Sequence, residues 1–343
     1  MKNEKLGVIC VNLGSPDTYN PKDIKKFLKS FLSDSRVIRL PKFLWWPILN
    51  LIILKIRPKK LSPMYKKIWT KEGSPLVVIG NKQSIGLQKI LNKKLAHDVV
   101  VKFACCYSSP TIESVYTNFL QNNFDKIVIL PLYPQYSSFT TGIVYNRFDK
   151  CIHPCQGGCA FKCKNKLMCN QYQNYNLPKV ISIFDYYNNA SYINTVAESI
   201  DEYWKSNDRL EHIVFSFHGI PLNSESSDLY IRQCRETVKL VAQKLDIDES
   251  DYTVSFQSRF GFSKWVEPYT VNVLANLAKT GIKNINIICP GFSADCLETL
   301  EEVAIGLKED FLNNGGKKLD YIPALNASKA GVNMFADIIY ENI

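Results

Sequence analysis

Short apolar runs rich in valine and isoleucine recur along the chain and alternate with helix-length segments. They predict strands near 6–11, 99–104, 126–131, 179–184, 212–217, 252–256 and 284–289. In runs such as Lys126-Ile-Val-Ile-Leu-Pro131 the hydrophobicity is continuous rather than alternating. That is the pattern of a strand covered on both faces, as in a parallel α/β sheet. Ser191–Trp204 and Leu229–Leu245 repeat apolar residues at i, i+3 and i+4, and Asp295–Leu312 opens with acids and runs into lysine, so all three predict helices.

The two halves echo one another. Gly7-Val-Ile-Cys-Val-Asn-Leu-Gly-Ser-Pro16 parallels Ile213-Val-Phe-Ser-Phe-His-Gly-Ile-Pro221, and Asp125–Pro131 with Tyr136-Ser parallels Asn284–Pro290 with Phe292-Ser. Duplication of one doubly wound unit would explain this, with functional groups at the carboxyl ends of the strands, and it requires the same strand order in both halves. Cys151–Asn176 is rich in Cys, Asn, Gln, Gly and Pro without apolar periodicity and reads as an insertion. The expected organisation is 1–172, holding an apolar segment at 43–54 and the cysteine-rich insert at 151–169; 173–318; and a C-terminal segment, 319–343, packing back on the body.

Composition narrows the class. The 343 residues are 46% hydrophobic and 22% charged, with 18 Phe, 18 Tyr and 5 Trp, too much buriable surface for a disordered chain. The apolar run at Val8–Leu13 is shorter than a secretory core, which points to a reducing cytoplasm, where grouped thiols bind metal or react. The 12-residue run Phe43–Leu54 is too short to span a bilayer, which takes about 20 residues. The net charge of +10 is accompanied by no base-reading motif, so no nucleic-acid partner is expected.

Of the four histidines, His97 and His212 read as surface residues, and His153 lies among the cysteines. His218 stands at a strand's carboxyl end, before Gly219, where open α/β sheets bind ligands. In Pro290–Glu302, a helix beginning near Ala294 would put Asp295, Glu298 and Glu302 on one face, a stripe able to pass protons or a hard cation. Acids complementing a helix N-terminus are the plainer reading, which fits Asp295 better than Glu302.

Seven ordered blocks resemble the ferrochelatase family: Asn12-Leu-Gly-Ser-Pro16, Phe31–Val37, Gly73-Ser-Pro75, Tyr133–Ser137 with Thr140-Thr-Gly142, Ser216–Pro221, Phe256–Gly261 and Gly291–Glu302. The resemblance implies two Rossmann-like doubly wound domains with parallel sheets enclosing a porphyrin cleft. It also implies insertion of Fe(II) into protoporphyrin IX, the last step of haem synthesis. His218 and Glu298 match the family's catalytic histidine and glutamate, and with Glu302 they would mark the path of iron and protons. Leu13, Tyr107, Tyr133, Tyr136 and Trp265 would line the ring's site, and Ser74 and Arg259 would hold propionates. This chain departs from the family in having Cys106-Tyr107 where many members have Arg-Tyr, and Cys296 where some have histidine. There is no Gly-x-Gly-x-x-Gly, so the architecture implies no nucleotide.

Cys151, Cys155, Cys159 and Cys163 are spaced by x3, with Cys169 after x5, unlike a zinc knuckle's C-x2-C. Some ferrochelatases carry a [2Fe–2S] cluster on such an internal segment. The resemblance therefore implies that cluster on the first four, with Cys169 as alternate and zinc as the other possibility. Phe43–Leu54, flanked by Lys55, Arg57, Lys59 and Lys60, fits an interfacial lip, implying a cytoplasmic protein held peripherally, through 43–60, on the inner face of the membrane. The enzyme supplying the porphyrin is a further expected partner. Coproporphyrin or sirohydrochlorin chelation, and a non-catalytic haem or iron–sulfur sensor, are the alternatives.

Overall fold

The structure is a computed structural model that describes residues 4–95, 98–152, 177–222, 224–259 and 264–343. In the first half, β1 (Lys5–Asn12), β2 (Asp98–Cys105), β3 (Lys126–Pro131) and β4 (Lys179–Ser182) form a parallel sheet in the order β2-β1-β3-β4. In the second half, β5 (His212–His218), β6 (Tyr252–Gln257), β7 (Asn284–Ile288) and β8 (Lys318–Ile322) repeat that order as β6-β5-β7-β8. The matching order is the one that duplication requires. β4 lies beyond residue 172 yet pairs with β3, so the first unit's sheet extends past the expected boundary. Similarly, β8 begins at Lys318 and completes the second sheet instead of belonging to a separate tail.

Central strands are buried along nearly their whole length, β1 from Leu6 to Asn12 and β5 from His212 to Phe217, because helices cover both faces. The first half's helices are α1 (Pro21–Leu32), α2 (Lys42–Pro47), α3 (Leu54–Ile68), α4 (Pro75–Lys94), α5 (Ile112–Gln121) and α6 (Thr141–Ile152). The second half's are α7 (Ala190–Ser206), α8 (Ser227–Leu245), α9 (Thr270–Lys279), α10 (Lys308–Asn313) and α11 (Lys329–Tyr340). α7 starts where Asn189 Oδ1 accepts from the backbone N–H groups of Ser191 and Tyr192.

One apolar core joins both sheets. It contains Val8, Phe103 and Val128 from the first, Phe215, Phe217 and Ile288 from the second, and Val332 and Phe335 of α11. α11 packs on α4 and α7, with Lys94 Nζ 2.7 Å from Asp337 Oδ1. Separate apolar layers fill the space beneath α5 and α6, beneath α9 and α10, and among α1 and α3.

Two segments wind more loosely than an α-helix, as π-turns with i→i+5 hydrogen bonds: Ile48–Ile53, between α2 and α3, and Glu298–Leu307, leading into α10. The second corrects the expected helix over 295–312. Helical winding starts at Leu297, so Asp295 precedes it and is not on an α-helical face with Glu298 and Glu302. Buried Asp295 instead accepts hydrogen bonds from Tyr321 OH (2.6 Å), Asn326 Nδ2 (2.7 Å) and Thr299 Oγ1 (2.9 Å), anchoring the loop before the helix. His212, expected at the surface, is buried at the start of β5 with its Nε2 2.9 Å from Thr253 Oγ1. His97 and His153 lie outside the described residues.

Candidate active site

The carboxyl end of β5 fixes His218. Its carbonyl accepts from Tyr230 OH (2.9 Å), and its ring lies edge-on to Phe292, with centroids 6.3 Å apart and planes at 77°. Gly219 follows because the chain must pass close to β6: its N–H donates to Gln257 O at 2.7 Å, and a Cβ there would come within 2.8 Å of that oxygen. The β5–β6 register sets His218 opposite Gln257. The Gln257 side chain accepts from Ser216 Oγ (2.6 Å) and donates from Nε2 to the backbone oxygen of Glu298 (2.8 Å). Ser258, held at the positive φ of 67°, donates from Oγ to Glu302 Oε2 at 2.5 Å. The end of β6 thus grips the acid-bearing π-helix at two of its residues.

Electrostatics separate the groups. Burial pushes His218 below the ordinary imidazole value, against the opposing pull of Glu298's charge; its Nδ1 is buried without a hydrogen-bond partner. The ring is therefore neutral near pH 7 and able to accept a proton. Burial pushes Glu302 up to about 7, with Glu298 and Glu301 adding to the rise and the Ser258 hydrogen bond opposing it. A neutral base and a carboxyl that changes charge near neutrality lie on adjoining elements, which Gln257 and Ser258 tie together.

The first half closes over this site. Tyr133 OH donates to Asn12 Oδ1 (2.5 Å) and accepts from the Leu13 N–H (3.0 Å). Burial pushes the Tyr133 phenol well up, and the charges of Cys106, Cys296 and Glu298 add to the shift. Tyr65 of α3 is likewise pushed up by burial, with Glu298 and Cys296 contributing. The charge of Glu298 thus reaches Tyr133 and Tyr65 of the first half. Trp265 comes within 3.3 Å of where a Gly219 Cβ would lie, and its buried Nε1 has no partner.

Other sequence-selected residues are held in different ways. Ser74 is buried at the start of α4. Exposed Arg259 lies 5.2 Å from the Tyr269 ring centroid. The Tyr136 N–H donates to Gln233 Oε1 at 2.6 Å. Tyr107 donates to Asp34 Oδ2 (2.9 Å) beneath the Arg147 guanidinium, which lies 4.4 Å from its ring centroid. Arg147 of α6 therefore brings a cation to the neighbourhood where Cys106 supplies none. Among the described residues, no three His, Cys, Asp or Glu side chains stand close enough together to hold a metal ion. His218, Glu298 and Glu302 do not close into a cage.

Cys151 is the one expected cluster ligand that lies among the described residues. It is buried in the last turn of α6, its Sγ donates to Arg147 O at 3.2 Å, and burial pushes its pKa up to about 12. Cys155, Cys159, Cys163 and Cys169 lie outside the described residues. Reading the sequence residue by residue missed Tyr65, Gln257, Ser258 and the buried Glu301. Gln257, Ser258 and Glu301 fall inside blocks that carried the family resemblance, whereas nothing in the local pattern marks Tyr65.

Comparison with known proteins decides the family: the ferrochelatase family's model matches residues 5–343. The chain belongs to the ferrochelatase family. It is an enzyme that inserts metal into a porphyrin. Ferrochelatase from Haemophilus influenzae (strain ATCC 51907) is 40% identical over 343 residues, covering 100% of this chain and 99% of the relative. Ferrochelatase from Pseudoalteromonas atlantica is 39% identical, covering 99% and 89%. Coproporphyrin III ferrochelatase from Streptococcus mutans is 41% identical, covering 100% of both. Among solved structures, SirB from Bacillus subtilis with Fe3+ superposes with a TM-score of 0.53 at 11% identity, covering 98% of this chain and 95% of that one, a likeness of fold alone.

Because Glu302 is raised from 4.5 to about 7, the fold favours its neutral form. That contribution is whole below about pH 4.5 and is lost as pH rises through 7. Glu302→Gln is expected to stabilise the protein relative to wild type by about 3 kcal/mol at pH 8 and by less than about 1 kcal/mol at pH 5, read from urea unfolding midpoints.

Proposed function

We propose that this ferrochelatase-family enzyme inserts Fe(II) into protoporphyrin IX to form protohaem, with His218 as proton acceptor and Glu298 and Glu302 along the path of iron and protons. The observation that carries this reading is the neutral, buried His218 with an unpartnered Nδ1 beside Glu298. Metalation replaces two pyrrole N–H bonds with bonds to iron, which remains Fe(II), and releases two protons. A neutral imidazole accepts a proton where a charged one cannot, and Glu302, titrating near 7, takes up and releases protons at the working pH. Leu13, Tyr133, Tyr136 and Trp265 would grip the macrocycle, with Tyr107 at its edge; Ser74 and Arg259 would meet the propionates.

The lip supports protoporphyrin and a membrane surface. Phe43, Leu44, Trp46, Leu51, Ile52 and Ile56 are each at least half exposed, and Lys55, Lys59 and Lys60 are exposed on the same helical run. Such a surface suits a lipophilic, two-propionate ring and anionic headgroups. No described helix is long and apolar enough to cross a membrane, so the contact would be peripheral. Coproporphyrin is the second reading, favoured by the Streptococcus mutans relative that acts on coproporphyrin III.

A [2Fe–2S] cluster takes four thiolates, and the cysteine-rich segment offers Cys151, Cys155, Cys159 and Cys163, with Cys169 as alternate and zinc as the other possibility.

Anaerobic assays with Fe(II) should show metalation of protoporphyrin by the wild type, with His218→Ala and Glu298→Gln each lowering kcat by about 10²-fold or more. A higher kcat/KM for coproporphyrin would overturn the substrate assignment. Replacing Phe43, Trp46 and Leu51 with serine should weaken partition onto anionic liposomes by about tenfold per side chain; unchanged partition would sink the membrane reading. Purified protein should absorb visible light through sulfide-bridged iron and lose that absorption in Cys159→Ser. Colourless protein with stoichiometric zinc would instead mark a zinc site.

A further inference from the structure

The π-helix that carries Glu298 and Glu302 has a third acid, Glu301, which the chemistry above does not use. Glu301 has only 8% of its side chain exposed, and its Oε1 lies 3.0 Å from Nζ of Lys67 in α3. Lys67 belongs to the first half and Glu301 to the second, so the ion pair crosses the cleft's wall. α3 also packs directly on the π-helix. Moreover, α2, the π-turn at Ile48–Ile53 and α3 form one unbroken helical run from Lys42 to Ile68, with the exposed apolar lip at one end and Tyr65 and Lys67 at the other. Tyr65, two residues before Lys67, is near enough to Glu298 to feel its charge.

On its other side the π-helix is held by neutral donors, Gln257 Nε2 on the Glu298 carbonyl and Ser258 Oγ on Glu302. Thr299 of the π-helix is bonded to Asp295, and Val303 and Leu307 are buried in the second half's core, so these holds all come from the second half. Lys67 is the cation that the first half brings to the buried Glu301. The Glu301 carboxylate is buried, so losing its cation leaves an uncompensated charge that the helix can relieve only by turning Glu301 toward water. Glu302, the next residue, would turn with it.

We infer that Lys67 and Glu301 are positioning residues that fix the π-helix against the lip helix and so set Glu298 and Glu302 in register with a porphyrin bound under the lip. Neither touches the reacting atoms. The inference rests on the reading that Glu298 and Glu302 serve the metalation site. Wild-type metalation in the same assay tests that reading separately.

The experiment is steady-state metalation of protoporphyrin with wild type, Lys67→Met, Glu301→Gln and the double variant, with thermal unfolding of each as a check on the fold. Lys67→Met should lower kcat about tenfold or more while porphyrin KM stays within about twofold, because ring binding is kept and the acids are misplaced. Glu301→Gln removes the charge that needs a cation and should cost kcat no more than about threefold. The double variant should match Glu301→Gln, recovering most of what Lys67→Met lost. Lys67→Arg keeps the cation and should stay within about threefold of wild type; it stands in for Lys67→Met if that protein does not fold. The inference is overturned if folded Lys67→Met keeps kcat within twofold, if the double variant loses the product of the two single effects, or if folded Lys67→Arg falls more than tenfold. No metalation by the wild type would instead remove the reading beneath it.

Discussion

The register between β5 and β6 is the constraint from which the site follows. It places His218 opposite Gln257, and the Gln257 amide reaches the first carbonyl of the π-helix. Successive side chains along a strand face opposite ways, so a slip of one residue would turn Gln257 away and release Glu298. Ser216 holds the other end of that amide from two residues before His218. Base and acid are thereby fixed by backbone pairing, and only then by their own contacts.

Burial acts on these groups in opposite directions because it penalises whichever form is charged. It keeps the imidazole of His218 neutral and raises the Glu302 carboxyl into the neutral range. The same burial pushes up Cys10, Cys105, Cys106, Cys234, Cys289 and Cys296, so thiols close to the cleft stay protonated and inert. Cys296, two residues before Glu298, is among them.

Much of the fold was legible because its strands are buried on both faces and read as unbroken apolar runs. The seven strands expected from those runs match β1 to β7 closely. β8 escaped because Lys318-Leu-Asp-Tyr-Ile322 is a half-exposed edge strand of five residues, too short for a run and too mixed for clear alternation. His218 was legible from its place at a strand end. The acid stripe was misread because residue spacing assumes 3.6 residues per turn, and the π-helix begins three residues later and winds more widely. Glu301 lies inside a quoted block, but its partner could not be found, since that is a lysine 234 positions away.

The repeated strand order records two like units, but the largest core does not respect the division. Side chains from both sheets pack in one cluster, sealed by α11, whose Val332 and Phe335 arrive from the far end of the chain. Neither half completes its apolar layer alone, so each unit is a partial folding unit. α11 closes the seam between the two sheets. Without it a hydrophobic face would lie open between the halves, so assembly of the shared core waits on a helix that follows both sheets in the chain.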